Sequence, residues 1–244
     1  MDREALSAAA LSLEVSLTSA QCDRLQHYVD LLTKWNAKFN LVSRKDMGRL
    51  WERHVLDSLS VLPCMRDACE QRTNTIRALD VGTGGGLPGL PLAIAGPEVD
   101  WQLLDRNARK VRFLEMVVAE LRLPNVCARC VDLGRRKASA GPFARDIAAD
   151  MTADIIVSRA VDVPATLVDL AGGLLRPAGV MILLTGTHPP PDTGDRDNAP
   201  GPSAEDTMGQ SWVDPAKRFR VDAVREVVIP GLERAHELTI IRHA

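Results

Sequence analysis

Apolar residues recur at helical spacing through the first 70 or so residues of the chain. Thr18 followed by Gln21 has the pattern of a capping box and predicts the start of a helix. The apolar stripe of this helix is Leu25, Val29, Leu32, Trp35 and Phe39. Asp46 is predicted to cap a second helix that ends at Pro63. Its apolar face would be Trp51, Val55, Leu59 and Leu62.

The pattern changes at Arg77, where short apolar runs begin to alternate with helical stretches. The predicted strands are Arg77–Val81, Trp101–Leu104, Asn125–Val131, Ile155–Val157, Val180–Leu184, Val221–Ile229 and Leu238–Arg242. Three helices are predicted in this part of the chain. The first follows the glycine-rich stretch after the first strand and runs through Ala95, the second spans Ala108–Leu121, and the third spans Ala165–Leu175 and is ended by residues 176–179. Such repeats predict an α/β fold, a doubly wound parallel sheet with helices on both faces.

Two regions and one long loop follow from this pattern. Residues 1–72 are predicted to form a helical N-terminal extension, and residues 73–244 the α/β domain. Residues 187–212 are rich in proline, glycine and acids, which predicts a flexible, solvated loop.

Composition adds little to this fold prediction. Of the 244 residues, 45% are hydrophobic and 25% charged, which is typical of a globular protein. No apolar run is long enough to span a membrane, and Asp2, Glu4 and Glu14 interrupt any signal-peptide pattern. We therefore expect a cytoplasmic protein without a membrane partner. One domain with a modest appendage is compatible with a monomer.

The cysteines raise the question of a metal site. An odd number of them, five, without a secretion signal predicts free thiols. Cys127 and Cys130 have CxxC spacing, but they fall in a predicted strand, where residues three apart point to opposite faces. Since no second pair completes a tetrahedral site, no metal is expected.

Candidate chemistry lies where the first strand runs into five glycines between Asp80 and Gly89. Such a loop places a ligand at the carboxyl end of the sheet. A dinucleotide pattern, GxGxxG, can be matched at Gly84, Gly86 and Gly89. However, Pro88 interrupts the helix start that should meet a pyrophosphate. Counted from Gly82, the sequence is GxGxG, which looks like the first motif of class I methyltransferases and favours S-adenosyl-L-methionine over NAD.

Asp105 is the next acid at a strand end. A carboxylate at this place can accept hydrogen bonds from both ribose hydroxyls of either cofactor. Its structural alternative is an N-cap for the helix that follows.

Further segments match one family in order and separation. They are Lys34-Trp35-Asn36 with Asn40-Leu41, Arg53 to Ser58, Asp80 to Gly84 continued by Leu87 to Leu92, Lys110 to Leu114, and Ser158-Arg159-Ala160. Together they resemble the bacterial 16S ribosomal RNA methyltransferase family RsmG, also called glucose-inhibited division protein B, over roughly residues 18 to 186.

The resemblance implies methyl transfer from S-adenosyl-L-methionine to N7 of a guanosine in the 530-loop region of 16S rRNA. It implies a Rossmann-like class I fold with a helical N-terminal extension, and 16S rRNA or a small-subunit precursor as partner. By matching position, Gly82, Leu87, Leu133, Gly134 and Arg159 correspond to cofactor contacts, to which the motif adds Gly84 and Asp105. Thr185 stands where the family commonly has lysine.

No catalytic acid or base is predicted, because N7 of guanine carries a free lone pair and loses no proton. Positioning alone can lower a barrier by about 7–11 kcal/mol. His54 and Asp57 resemble a dyad, but residues at i and i+3 of a helix more often make a structural contact.

RNA binding is expected from local positive charge rather than from the net charge of −2. Six basic residues against two acidic ones occupy residues 34–53, and a second basic cluster follows Asp105. The expected contacts are Arg53, His54, Arg109, Lys110 and Arg112. The alternatives are a small-molecule methyltransferase of the same fold, favoured by the near-neutral charge, and a non-catalytic ribosome-assembly module that binds RNA.

Overall fold

The alternation of short apolar runs and helical stretches folds into one sheet with helices packed against it, in a computed structural model of the chain. The structure describes residues 1–70, 74–133, 151–159, 167–168, 171–185 and 218–244. The helices are α1 Arg3–Leu11, α2 Ser19–Phe39, α3 Asp57–Leu59, α4 Leu62–Cys69, α5 Gly89–Ala95 and α6 Ala108–Leu121. The strands are β1 Ile76–Val81, β2 Val99–Asp105, β3 Val126–Cys130, β4 Ala153–Arg159, β5 Leu175–Thr185, β6 Phe219–Val227 and β7 His236–His243.

The strands lie in the order β3-β2-β1-β4-β5-β7-β6. The first five are parallel, and β7 is antiparallel to both β5 and β6. The chain therefore runs outward from β1 to β3 and returns on the other side of β1 at β4. This reversal confirms the predicted doubly wound sheet, and it makes the carboxyl ends of β1 and β4 the switch point at which sheets of this kind bind ligands.

Alternating side chains of the central strands enter two apolar clusters, one on each face of the sheet. Ala78 belongs to the cluster that includes residues of helices α1 to α6, whereas its neighbour Leu79 belongs to the cluster on the other face, with Leu167 and Leu174. Both faces are covered, so the central strands are apolar on both sides, as parallel strands require.

The N-terminal helix α2 begins as predicted. The Thr18 hydroxyl accepts from the Gln21 backbone N–H at 3.3 Å, and the Gln21 side chain accepts from the Thr18 N–H at 2.8 Å. The Gln21 amide also donates to the carbonyls of Ile94 and Ala95 at 3.2 and 3.0 Å. One residue therefore caps α2 and ties it to the end of α5, so the N-terminal extension is joined to the sheet domain.

The second predicted helix is interrupted. Residues Arg44–Arg49 form a 3₁₀ helix capped by Ser43, and Trp51–Leu56 form a π-helix. Asp46 does not cap this segment, because its carboxylate instead accepts from Arg53 at 2.6 Å. Pro63 lies in the first turn of α4 rather than at a helix end, where its missing N–H costs no hydrogen bond. Both boundaries were predicted wrongly, whereas Val55, Leu59 and Leu62 are buried as expected.

Strand β5 begins at Leu175, five residues earlier than predicted. The turn-like residues 176–179 form an irregularity inside the strand, with Ala178 at a φ of 61°. Pairing with β4 shifts there from Ala153 with Leu175 to Ile155 with Val180. Of the predicted helix over 165–175, residues 165, 166, 169 and 170 lie outside the described residues, and its last turn is a 3₁₀ helix, Gly172–Leu174, followed directly by β5, so its predicted end at Leu175 was wrong. The whole predicted loop over 187–212 also lies outside the described residues. The domain division at residues 72 and 73 stays a prediction.

Candidate active site

The glycine loop after β1 has a backbone that glycine favours. Gly82, Gly84 and Gly86 have φ values of 75°, 58° and 98°. A Cβ placed on Gly82 would meet no atom within 4 Å, so an exposed open space lies beside this residue. The N–H groups of Gly82 and Thr83 donate to the Leu104 carbonyl at 2.9 and 3.0 Å, which fixes the loop to β2. The loop therefore offers a bare backbone edge to a ligand.

Asp80 supports this loop from below. Its carboxylate is fully buried and accepts from the Thr83 hydroxyl at 2.6 Å and from the Gly89 N–H at 2.8 Å through the same oxygen, Oδ2. The other oxygen, Oδ1, is buried without a hydrogen-bond partner among the described residues. Burial raises the pKa of Asp80 to about 7, although the donors Thr83 and Gly89 and the positive charge of Arg159 oppose the shift.

The N-terminal extension covers the loop from the other side. The Tyr28 hydroxyl donates to the Gly85 carbonyl at 2.9 Å, and burial raises the pKa of this phenol. A Cβ on Gly85 would lie 3.0 Å from Leu32 and 3.2 Å from Leu41. Sequence reasoning missed Tyr28, although it is the only tyrosine of the chain and falls on the apolar stripe of α2. The loop is thus held between α2 and Asp80.

Asp105 lies next to the loop, as predicted. Its carboxylate is buried and accepts from the Gly84 N–H at 3.0 Å and from the Asn107 N–H at 2.8 Å. The structure shows Asn107, not Asp105, as the N-cap of α6, since the Asn107 side chain accepts from the Arg109 N–H at 2.9 Å. Each oxygen of Asp105 keeps capacity for a further hydrogen bond.

The basic residues of α6 lie at the rim of this site. Arg109 and Arg112 are exposed. Lys110 is half-buried, and its Nζ lies 3.8 Å from where a Cβ on Gly84 would stand. Positive charge therefore adjoins the glycine loop and continues onto the surface.

A second group of charged residues lies at the end of β4. The Arg159 guanidinium donates to the Arg53 carbonyl at 3.0 Å and lies 3.7 Å from Asp57. The Asp57 carboxylate pairs with His236 at 2.7 Å, and Asp57 bonds to His54 only through its backbone N–H and the His54 carbonyl, so the two side chains form no His54–Asp57 dyad. Sequence reasoning missed His236, because only the register of the β6–β7 hairpin brings it to Asp57.

His54 is buried and uncharged. Both ring nitrogens lack a hydrogen-bond partner among the described residues, and the nearest carboxylate oxygen, of Asp46, is 3.7 Å away. Burial and the positive charge of Arg159 lower the pKa of His54 to about 3. The ring therefore lies under the surface, unlike Arg53, whose side chain is about half exposed.

The remaining predicted contacts are apolar or lie outside the described residues. The side chains of Leu87 and Leu133 are buried, which leaves their backbones to meet a ligand. Gly134 is outside the described residues. Cys127 and Cys130 are exposed, free thiols, and no set of three or more candidate metal ligands occurs in the described ranges. No helix among these residues is long and apolar enough to span a membrane.

Comparison with known proteins places this geometry in a family. A family model described as rRNA small subunit methyltransferase G matches residues 21–201. The chain belongs to this family. Among its members, the ribosomal RNA small subunit methyltransferase G of Neisseria meningitidis serogroup C is 36% identical over 234 residues, 96% of this chain and 94% of the relative. The Cupriavidus necator member is 33% identical over 98% of this chain and 94% of its own length.

Solved structures agree on the fold. A mutant of MtNAS in complex with S-adenosylmethionine superposes with a TM-score of 0.51 and 13% identity, over 99% of this chain and 77% of that one. The predicted class I Rossmann-like fold is confirmed. Membership of the small subunit methyltransferase G family confirms the predicted methyltransferase and its cofactor, S-adenosyl-L-methionine.

Proposed function

We propose that this protein transfers the methyl group of S-adenosyl-L-methionine to N7 of a guanosine in the 530-loop region of 16S rRNA, acting on the RNA or on a small-subunit precursor. The observation that carries the proposal is the family match over residues 21–201. That span contains the glycine loop, the Arg53–Ser58 segment and Arg159, which meet at the carboxyl edge of the sheet.

The residues at this edge fit the cofactor. The open space beside Gly82 admits a ligand against the backbone, and the free capacity of Asp105 suits the two ribose hydroxyls. We assign cofactor contacts to Gly82, Gly84, Leu87, Asp105, Leu133, Gly134 and Arg159. Bound S-adenosyl-L-methionine supplies an electrophilic methyl group. Because N7 needs no deprotonation, the protein contributes orientation and exclusion of water, with no acid or base.

The exposed cations of the rim suit an RNA backbone. Arg109, Arg112 and Arg53 lie at the surface, and Lys110 lies between that surface and the glycine loop. Each phosphate contact releases counterions, so we expect strongly salt-dependent binding. A direct RNA contact of His54 stays a prediction, and it would require its buried ring to become accessible.

The function is tested with labelled S-adenosyl-L-methionine and small ribosomal subunits from cells that lack this protein. We expect label in 16S rRNA and 7-methylguanosine after digestion, located within the 530 loop. Labelled small molecules with unlabelled RNA would instead support the small-molecule alternative. Cofactor binding without any methylated product would support the assembly module.

Asp105→Ala is expected to weaken binding of S-adenosylhomocysteine by about ten- to a hundredfold, because a charge-assisted hydrogen-bond acceptor is lost. Calorimetry measures the change. Asp100→Ala is the matched control, since Asp100 is exposed on the same strand, and it should leave the affinity unchanged. Equal affinities for the Asp105→Ala and wild-type proteins would remove Asp105 from the cofactor site.

Arg109→Ala should show the reverse selectivity. We expect unchanged S-adenosylhomocysteine affinity, weaker RNA binding, and a salt dependence reduced by about one unit of slope. Filter binding at several salt concentrations measures both RNA quantities. A loss of cofactor affinity with unchanged RNA binding would overturn the assignment of Arg109 to RNA.

A further inference from the structure

One buried carboxylate joins three segments that are far apart in sequence. Asp57 of α3 accepts from His236 Nδ1 at 2.7 Å through Oδ1, and its Oδ2 lies 3.7 Å from the Arg159 guanidinium. Asp57 is 4% exposed, and the side chains of His236 and Arg159 are 15% and 20% exposed. The N-terminal extension, the end of β4 and the start of β7 therefore converge on one group.

The charged residues around Asp57 explain why it pairs with Arg159. Arg159 also donates to the Arg53 carbonyl at 3.0 Å, so its guanidinium is anchored at two points of the N-terminal extension. The other charged neighbours, Arg53 and Asp46, pair with each other at 2.6 Å. His54, one turn before Asp57, is uncharged and adds no competing cation. Asp80 also lies near enough for the charge of Arg159 to act on it, but among the described residues Asp57 is the carboxylate within ion-pair distance of Arg159, at 3.7 Å.

Arg159 lies at the end of β4, next to the strand that leads into the glycine loop, so its anchoring bears on ligand binding there. β4 lies beside β1, with Val157 paired to Asp80, and the Ser158 hydroxyl donates to the Val81 carbonyl at 2.8 Å. Arg159 therefore follows directly from the strand segment that supports the glycine loop. An arginine side chain has several freely rotating bonds, and an unanchored one would lose conformational entropy on meeting a ligand.

We propose that Asp57 and His236 are positioning residues that hold the Arg159 guanidinium in place for the bound cofactor, so that the β6–β7 hairpin takes part in cofactor binding. The proposal rests on the cofactor contact assigned to Arg159 above. The proposal requires no contact of Asp57 or His236 with the cofactor. Both act through Arg159, which distinguishes the proposal from a purely structural tie between α3 and the hairpin.

A double-mutant cycle on S-adenosylhomocysteine affinity tests this coupling. We expect Arg159→Ala and Asp57→Asn each to weaken binding about tenfold, and the double variant to bind no more weakly than Arg159→Ala alone. Multiplied effects in the double variant would overturn the proposal. If Asp57→Asn does not fold, His236→Leu takes its place in the same cycle, with the same two outcomes.

His236 variants separate positioning from mere packing. His236→Asn keeps a donor near the place of Nδ1 and should bind within about twofold of wild type, whereas His236→Leu should bind about fivefold more weakly. Equal affinities for the two variants would contradict the proposal. Asp154→Asn is the matched control, because Asp154 is equally buried and pairs with Arg176 at 3.1 Å near the opposite end of β4. It should lower the melting temperature and leave affinity unchanged.

The outcomes also distinguish a failure of this proposal from a failure of the two proposals on which it rests, the cofactor contact of Arg159 and the methylation of 16S rRNA. Unchanged affinity in Arg159→Ala would remove Arg159 from the cofactor site and overturn the positioning role with it. Absence of methylated 16S rRNA in the labelling experiment would overturn the proposed function, whereas the binding cycle could still succeed. Calorimetry with S-adenosylhomocysteine needs no RNA, so the two failures cannot be confused.

Discussion

Gly89→Ala is expected to lower the free energy of unfolding by about 3 kcal/mol or more and to abolish measurable cofactor binding. A Cβ at this position would lie 2.3 Å from Leu103 Cδ2, 2.8 Å from Asp80 Oδ2 and 3.0 Å from Asp80 Cβ. Leu103 and Asp80 are both fully buried, so neither can move into solvent. The start of α5 would have to shift away from β1 and β2, and the glycine loop would shift with it.

Gly48→Ala is the matched control for this substitution. A Cβ on Gly48 meets nothing within 4 Å, and its backbone lies in the 3₁₀ helix Arg44–Arg49. We expect unchanged or slightly higher stability, because alanine restricts the unfolded chain. Urea unfolding and calorimetry with S-adenosylhomocysteine compare the two variants. Wild-type stability and affinity in Gly89→Ala would show that α5 does not pack on Asp80 as described here.

The α/β part of the chain was predictable because its patterns are local and repeated. Each central strand is a short apolar run, and α6 keeps its predicted bounds Ala108–Leu121 because an asparagine cap and a clear apolar face define it. The glycine loop was predictable for the same reason: three of its glycines adopt positive φ, which other residues rarely do.

The segment between α2 and β1 was less predictable because tertiary contacts decide it. Aspartate is a favoured N-cap residue, but the Asp46 carboxylate accepts a hydrogen bond from Arg53, and Ser43 caps the 3₁₀ helix instead. Pro63 can end one helix or begin the next, and the sequence does not distinguish these roles. The buried positions Val55, Leu59 and Leu62 were nevertheless predicted correctly, because burial depends on which face of the segment packs against the core and not on the type of helix.

In the candidate site, residues attached to the loop were predictable and residues brought from elsewhere were not. Asp105 is the last residue of β2, so its place beside Gly84 follows from the parallel pairing of β1 with β2. Tyr28 and His236 reach the site only through the packing of α2 and the register of β7. No local pattern marks either residue as part of it.

The buried Asp80 carboxyl should make stability fall as pH rises through the range from about 4 to about 7. Burial raises its pKa in the folded protein from the ordinary value of 3.8 to about 7. Between these values the folded state retains a proton that the unfolded state releases, so the stabilisation is complete below about pH 4 and lost above about pH 7. The slope reaches about 1.4 kcal/mol per pH unit, about 4 kcal/mol in all.

Asp80→Asn is expected to remove this part of the pH dependence. The amide oxygen of the substituted side chain can still accept from Thr83 and Gly89, while the new NH₂ group replaces the unpartnered oxygen at a cost that does not vary with pH. Between pH 5 and pH 8 the unfolding free energy of the wild type should therefore fall relative to that of Asp80→Asn. Urea unfolding at unit pH steps measures it.

Thr83→Val is the matched control, because it keeps the Asp80 carboxyl and the side-chain shape but removes one donor. Donation from Thr83 lowers the pKa of Asp80, so its loss should raise that pKa and extend the falling slope to higher pH. Parallel pH profiles for wild type and Asp80→Asn would contradict the assignment. If the fall in stability with pH disappears in Asp80→Asn and extends to higher pH in Thr83→Val, the Asp80 carboxyl is identified as the titrating group.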